Sequence, residues 1–288
     1  PVCDLLGGKI RERIPLAAYL FYRRPNERNE GGISDSKDMS AYASEVIATY
    51  GFKTLKLKAG VLHPDEELRT IIQLREEFPK AKLRVDPNGA WSVGTTLRFA
   101  NQTRDLNLEY LEDPVWGLRG MARVNSQCPW LPLASNMSVA TPDDFSSAIA
   151  LEAVDVILVD PHFYGGLRQA RYAAATLEMF QVGLSMHSQG EFGISMAAQL
   201  HLASVMPGLT YAADAHYHHL VDDIISGGPI NCEGGEMRVP SGPGLGVTLD
   251  RDKLKEFSAL AGNYGTARQT SITGDPMELQ HLPVLPRW

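Results

Sequence analysis

Eight short runs of strand-forming residues, separated by stretches of helical character, constrain this chain more than any other feature. They are residues 14–22, 53–59, 82–87, 108–114, 132–136, 155–161, 182–188 and 209–215. Most are rich in Val, Ile, Leu or Tyr, as strands buried on both faces are. The stretches between them begin as helices should. Segment 34–50 opens on Ser34 and Asp35, 63–78 carries Pro64 and an acidic first turn, and 140–152 has Thr141 as a candidate N-cap before Pro142; 167–180 and 190–206 follow. Strands alternating with helices imply a parallel sheet, and eight of them imply closure into a TIM-like barrel. Residues 23–35 read as an exposed loop, 217–249 as a Gly- and Pro-rich loop with short strands, and 251–262 as a late helix.

A length of 288 residues suits one such barrel. We therefore expect a single domain over 1–288, with its strands and helices in about 14–215 and a closing segment with a C-terminal helix in 216–288. A hydrophobic content of 44% allows a sizeable core. The net charge of −7 argues against a nucleic-acid partner, because phosphates want a basic face. No apolar run approaches the roughly 18 residues of a membrane span, and no secretory signal is visible. Cys3, Cys128 and Cys232 are odd in number, far apart and without a C-x-x-C pair. That argues against a disulfide or zinc framework and for a reducing, cytoplasmic setting. The chain begins "PVCDLLGG" without Met and reads as a fragment whose start is missing.

In a barrel of this kind the chemistry sits at the C-terminal strand ends. The second strand ends in Lys56-Leu57-Lys58, the third in Asp86 before Asn88, and the fourth in Glu112-Asp113-Pro114. The fifth ends in Ser135-Asn136, the sixth in Asp160-Pro161-His162, and the seventh in His187-Ser188. From Lys58 through Asp86, Glu112, Asn136, Asp160 and His187 the steps are 28, 26, 24, 24 and 27 residues, each close to one strand–helix unit. Lys56 and Lys58, two apart on a strand, share a face, where two ammonium groups lower each other's pKa. Asp86, Glu112 and Asn136 form an all-oxygen donor set of the kind that suits Mg²⁺. Asp160 can orient His187 from the adjacent strand.

Each of these residues has an ordinary reading when taken alone. Paired lysines can line a solvated edge, Asp-Pro is common in turns, Asn136 can cap a turn, and His187 can be a satisfied core histidine. "HYHH" at 216–219 invites a zinc reading, but adjacent histidines on a strand point apart and no third ligand is near in sequence. "GGPINCEGGE" lacks the strand–GxGxxG–helix context of a dinucleotide loop. Six strand ends carrying chemistry together outweigh these separate readings.

The series resembles the enolase superfamily, and more closely the glucarate dehydratase family. The matching stretches are "PVCDLLGG", "YLFYRR", "LKLKAG", "RVDPNGAW", "YLEDP", "ASNMSVATPDDF", "DPHFYGGL", "MHSQGEFGIS", "ADAHYHH", "PGLGVTLD" and "GTARQ". The resemblance implies a modified (β/α)₇β barrel, normally joined to an N-terminal capping domain that is absent from this chain. It implies Mg²⁺-dependent removal of the proton α to a carboxylate and loss of the β-hydroxyl, from D-glucarate or L-idarate to 5-keto-4-deoxyglucarate. Lys58 would be the base, kept neutral by Lys56 beside it. His187, held by Asp160, would serve the opposite face. Asp86, Glu112 and Asn136 would hold the metal. Lys56, Tyr19, Asn88, Asn136, Ser188, Gln189, His216 and Arg268 would touch the acid sugar, Arg268 at its distal carboxylate. The resemblance also implies a homo-oligomer. Two departures stand out: Gln189 replaces an Asn usual in the family, and "VWGLRG" after Glu112 lacks an acid that can serve as second ligand, leaving that role to Glu112. Another hexarate dehydratase or epimerase, and a non-catalytic paralogue, remain alternatives.

Overall fold

In a computed structural model, which describes residues 1–26, 28–264, 280–281 and 288, eight parallel strands close into a barrel. The strands are β1 (Arg13–Phe21), β2 (Thr54–Lys58), β3 (Lys82–Asp86), β4 (Tyr110–Glu112), β5 (Leu133–Ser135), β6 (Val156–Val159), β7 (Gly183–Met186) and β8 (Ala213–Ala215). Each pairs in parallel with the next from β1 to β7, and β8 pairs with β1. Leu209, just before β8, bridges Leu184 of β7 and completes the ring.

Seven α-helices follow the first seven strands: α1 (Ser36–Tyr50), α2 (Pro64–Glu77), α3 (Val93–Gln102), α4 (Leu118–Gln127), α5 (Phe145–Ala150), α6 (Leu167–Met179) and α7 (Gly193–Ser204). After β8 the chain makes only a 3₁₀ turn, Tyr217–His219. A hairpin, β9 (Cys232–Glu233) and β10 (Glu236–Arg238), then adds antiparallel to the start of β1, before α8 (Arg251–Tyr264). This is the expected (β/α)₇β arrangement. Helices α3 and α4 add to those expected from the sequence, and segment 23–35 is not simply an exposed loop: Arg23–Arg24 pairs with Gln280–His281, and Ile33, bridged to Arg23, is buried.

Alternation along the strands decides what faces the site. Leu55, Leu57, Leu83, Val85, Leu111, Leu133, Ile157 and Val159 join the main core with the helices. Tyr110, Ala134, Val156 and Leu158 form a separate cluster inside the barrel. Tyr19, Lys56, Arg84 and Tyr110 lie in register across four strands, and Phe21, Lys58 and Asp86 lie in register two residues nearer the mouth. Lys56 is therefore one layer deeper than Lys58. Beneath it, the buried Arg84 bonds Glu109 at 2.6 Å and Asp214 at 3.2 Å and lies over the Tyr110 ring.

Local signals set the loops that carry the site. Asp35 caps α1 by accepting from the Asp38 amide. Gly60 follows Lys58 at φ +79, and a Cβ there would lie 2.5 Å from the Pro87 carbonyl oxygen. That close approach lays the loop after β2 against the loop after β3. Gly60→Ala is expected to cost about 1–3 kcal/mol, from the clash and the left-handed backbone together. A melting temperature unchanged by the substitution would refute the close approach.

Glu67 of α2 turns back to accept from the Val61 and Leu62 amides at 2.9 and 3.0 Å, and it is fully buried. Burial pushes its carboxyl up to about 7 from the usual 4.5, against the opposing amide bonds. A raised folded-state value means that the folded protein holds this proton more tightly. Stability from Glu67 is then fullest below the unfolded value and falls as pH rises through the folded one. Across that window Glu67→Gln is expected to gain on the parent protein by up to about 3 kcal/mol. Urea unfolding at pH 5 and pH 8 measures this, and a gap that does not change with pH contradicts it.

Candidate active site

Lys56 is fully buried on β2 and reaches four oxygens: Glu112 Oε2 at 2.5 Å, Asp214 Oδ2 at 2.6 Å, Asp86 Oδ2 at 3.2 Å and the Tyr19 hydroxyl at 3.3 Å. Lys58, partly exposed at the mouth, donates to Asp86 Oδ2 at 2.5 Å and Asn88 Oδ1 at 3.2 Å. The two lysine side chains thus share a face and share Asp86. The expectation that they lower each other's pKa fails for Lys56. Burial pulls its value down, but Asp214 and Glu112 outweigh burial and hold it well above the usual lysine range. Asp86 is held below the usual carboxylate range: burial opposes this, and Lys58 and Lys56 overcome it. Glu112 is pushed well up, first by burial and then by Asp86, against the attraction of Lys56.

Asp113, the second acid of the Glu-Asp-Pro turn, has a structural task that local sequence did not reveal. Its carboxylate accepts from Ser135 Oγ at 2.5 Å, the Asn136 amide at 2.8 Å and the Met137 amide at 2.9 Å. It therefore pins the loop after β5, and with it Asn136. Its φ of +36 is the strained backbone of a residue held by its surroundings.

Asp160 serves two imidazoles. Its Oδ2 is 2.9 Å from His187 Nδ1, and its Oδ1 takes His162 Nδ1 at 2.6 Å and the His162 amide at 2.8 Å. Burial raises Asp160, but these hydrogen bonds prevail and its pKa is lowered. His162, two residues past Asp160 in the sequence, is thus a second imidazole on the same carboxylate that the sequence pattern does not single out. Ser188 lies beyond His187 and is 2.9 Å from His216 Nδ1. Gln189 is exposed, with its amide held by Glu191. The His216 ring lies tilted against Tyr19, with the ring centres 4.2 Å apart. Tyr19 is buried and donates its hydroxyl to Asp214, so its ring forms the floor beneath both lysines. Arg268 lies outside the described residues.

Could a cation fit here? Among the described residues no three His, Cys, Asp or Glu side chains gather to hold one. The donors on β3, β4 and the loop after β5 are two carboxylates and an amide oxygen, a hard set that leaves positions for water or substrate. Two of their oxygens, Glu112 Oε1 and Asn136 Oδ1, are buried without a hydrogen-bond partner. A buried unpaired oxygen is costly, and a divalent cation satisfies it. Lys56 already holds cationic charge against the same carboxylates. The residues fit an oxygen-ligated divalent cation.

Residues 38–253 match the family of enolase C-terminal domain-like proteins. A probable glucarate dehydratase of Streptomyces coelicolor is 42% identical over 262 residues, covering 88% of this chain and 60% of that relative. This chain thus spans about three fifths of that relative's length. A muconate cycloisomerase 1 of Rhodococcus opacus is 27% identical over 261 residues, 90% of this chain and 67% of that one. A solved enolase of Pseudomonas fluorescens with bound magnesium, potassium and tartrate superposes with a TM-score of 0.88 at 37% identity, over 96% of this chain and 66% of that one.

Proposed function

The chain belongs to the enolase superfamily as its C-terminal barrel domain, and from that membership we propose that it catalyses dehydration of an acid sugar, D-glucarate or L-idarate, to 5-keto-4-deoxyglucarate. The observation that carries this reading is a lysine and an Asp-supported histidine at one barrel mouth. Lys58 ends β2 and lies 5.4 Å from the Tyr19 ring, which packs against His216 after β8, and His187 follows β7 with Asp160 Oδ2 2.9 Å from its Nδ1. Two proton-transfer groups facing one mouth suit chemistry on both faces of a carbon α to a carboxylate. The relative named a probable glucarate dehydratase supports the substrate class, as does tartrate, a hydroxy-diacid, in the solved enolase.

Asp86, Glu112 and Asn136 would hold the cation, and we assign it as Mg²⁺. When bound, it supplies positive charge beside the substrate carboxylate, where negative charge develops as the α-proton leaves. Lys56, deep and firmly cationic, adds fixed charge beneath the same point. Lys58 takes the α-proton on one face, and Asp86 and Asn88 orient its Nζ. His187 acts on the other face. It gives a proton to the departing β-hydroxyl, which leaves as water, and the resulting enol becomes the ketone. Asn88, Asn136, Gln189, His216 and Arg268 would contact the acid sugar, whereas Ser188, expected there too, is buried with its hydroxyl taken up by Glu191 and His216 and would act through His216. We place the reaction in the cytoplasm, supported by three free cysteines, and in a homo-oligomer, supported by the resemblance alone. Among the described residues no helix is long and apolar enough to cross a membrane.

The same pair of bases serves an epimerase of the same diacids, so product must be measured. The test is proton NMR of the full-length gene product with Mg²⁺ and D-glucarate in D₂O. Loss of the α-proton signal with growth of a keto-deoxy product is expected. Exchange without product supports the epimerase. Exchange with no hexarate at all sinks both and leaves a non-catalytic paralogue. Lys58→Ala is expected to slow exchange at its face by roughly 10²–10⁴-fold.

A further inference from the structure

Glu191, in the loop between β7 and α7, is only 4% exposed, yet three hydrogen-bond donors converge on it. The Gln189 amide and Gln199 Nε2 donate to Oε1 at 2.7 and 2.8 Å, and Ser188 Oγ donates to Oε2 at 2.5 Å. An acid surrounded by donors alone is a carboxylate. The consequence passes to Ser188. A hydroxyl has one hydrogen and two lone pairs. With the hydrogen given to Glu191, Oγ can only accept from its other two neighbours. Those are the His216 backbone amide at 3.1 Å and His216 Nδ1 at 2.9 Å. Nδ1 must then carry a hydrogen.

We propose that Glu191 and Ser188 form a positioning relay that locks His216 in the Nδ1–H tautomer, leaving its Nε2 a bare acceptor for a substrate hydroxyl. The ring cannot turn easily to offer the other nitrogen, because it lies 4.2 Å from the Tyr19 ring and 5.6 Å from Phe21. Nor does it readily charge. Burial first, and then Lys58, His187 and Lys56, hold it well below the usual imidazole range. A neutral ring with a bare nitrogen repels a carboxylate oxygen and welcomes an O–H. That selects a polyhydroxy acid over a deoxy or unsaturated acid at this position. The tautomer half of the inference stands without the proposed function, whereas the hydroxyl half rests on it.

The first test is ¹⁵N NMR of the histidine-labelled full-length protein, with His216 assigned by its absence in His216→Gln. The expected result between pH 6 and pH 8 is one protonated, pyrrole-type Nδ1 and one unprotonated Nε2. An Nε2–H ring or an imidazolium in the unaltered protein overturns the relay, whatever the activity. Ser188→Ala is expected to release the tautomer toward Nε2–H. Kinetics test the second half through acid sugars that each lack one hydroxyl. Glu191→Ala frees the Ser188 hydroxyl to donate to His216 Nδ1 and is expected to raise KM for the full acid sugar about tenfold more than for the one analogue that lacks the hydroxyl facing His216. KM rising equally for every analogue overturns the hydroxyl assignment.

Discussion

Replacing Lys56 by methionine is expected to destabilise the barrel by about 3–5 kcal/mol, with the loss largest at neutral pH. Methionine fills the space of the lysine stem, so packing is nearly preserved and the effect isolates charge. Glu112 and Asp214 are both fully buried, and both lose the ammonium that approaches them to 2.5 and 2.6 Å. Asp86 keeps Lys58. Glu112 is already pushed up by burial and by Asp86 with Lys56 in place. Without Lys56 it rises further. A carboxyl raised in the folded state contributes most stability below its unfolded value and loses it as pH climbs. The variant should therefore recover toward the parent protein on acidification from pH 7 to pH 5. Urea unfolding at both values decides the matter. A loss below about 1 kcal/mol, or one equal at both pH values, would mean that the buried charges are not coupled.

Why some of this was legible in the sequence and some was not follows from distance along the chain. A strand places i and i+2 together, so Lys56 and Lys58 could be set on one face. A barrel repeats every 24–28 residues, so Asp86, Glu112, Asn136, Asp160 and His187 could be set around one mouth. What those side chains touch is set by partners far off in sequence. Asp214 lies 158 residues from Lys56, and its contribution reverses the shift expected from two neighbouring lysines. Asp113 looked like turn chemistry, since nothing local shows a carboxylate pinning amides more than twenty residues downstream. Glu191 passed unnoticed within "HSQGEF" because its importance lies in what Ser188 does with its remaining lone pairs. The short helices α3 and α4 offer only ten residues each, too few for a strong periodic signal.

Asp160→Asn should separate the two faces of the proposed reaction. His162 donates its backbone amide to Asp160 Oδ1, and that bond keeps an oxygen there after the substitution. The new NH₂ group must then take the other position, 2.9 Å from His187 Nδ1. A donor facing Nδ1 forces that nitrogen to accept, so the ring's hydrogen moves to Nε2. His187 then presents an N–H where a base is needed, and it loses the carboxylate that stabilises its charged form. Exchange at the His187 face is expected to fall by roughly 10²–10⁴-fold. Exchange at the Lys58 face should change little, because Lys58 takes its orientation from Asp86 and Asn88 on another part of the barrel. Following the α-protons of D-glucarate and L-idarate separately in D₂O reads the two faces. Equal losses for both epimers would make Asp160 a support for the whole mouth, and no loss for either would remove His187 from the chemistry.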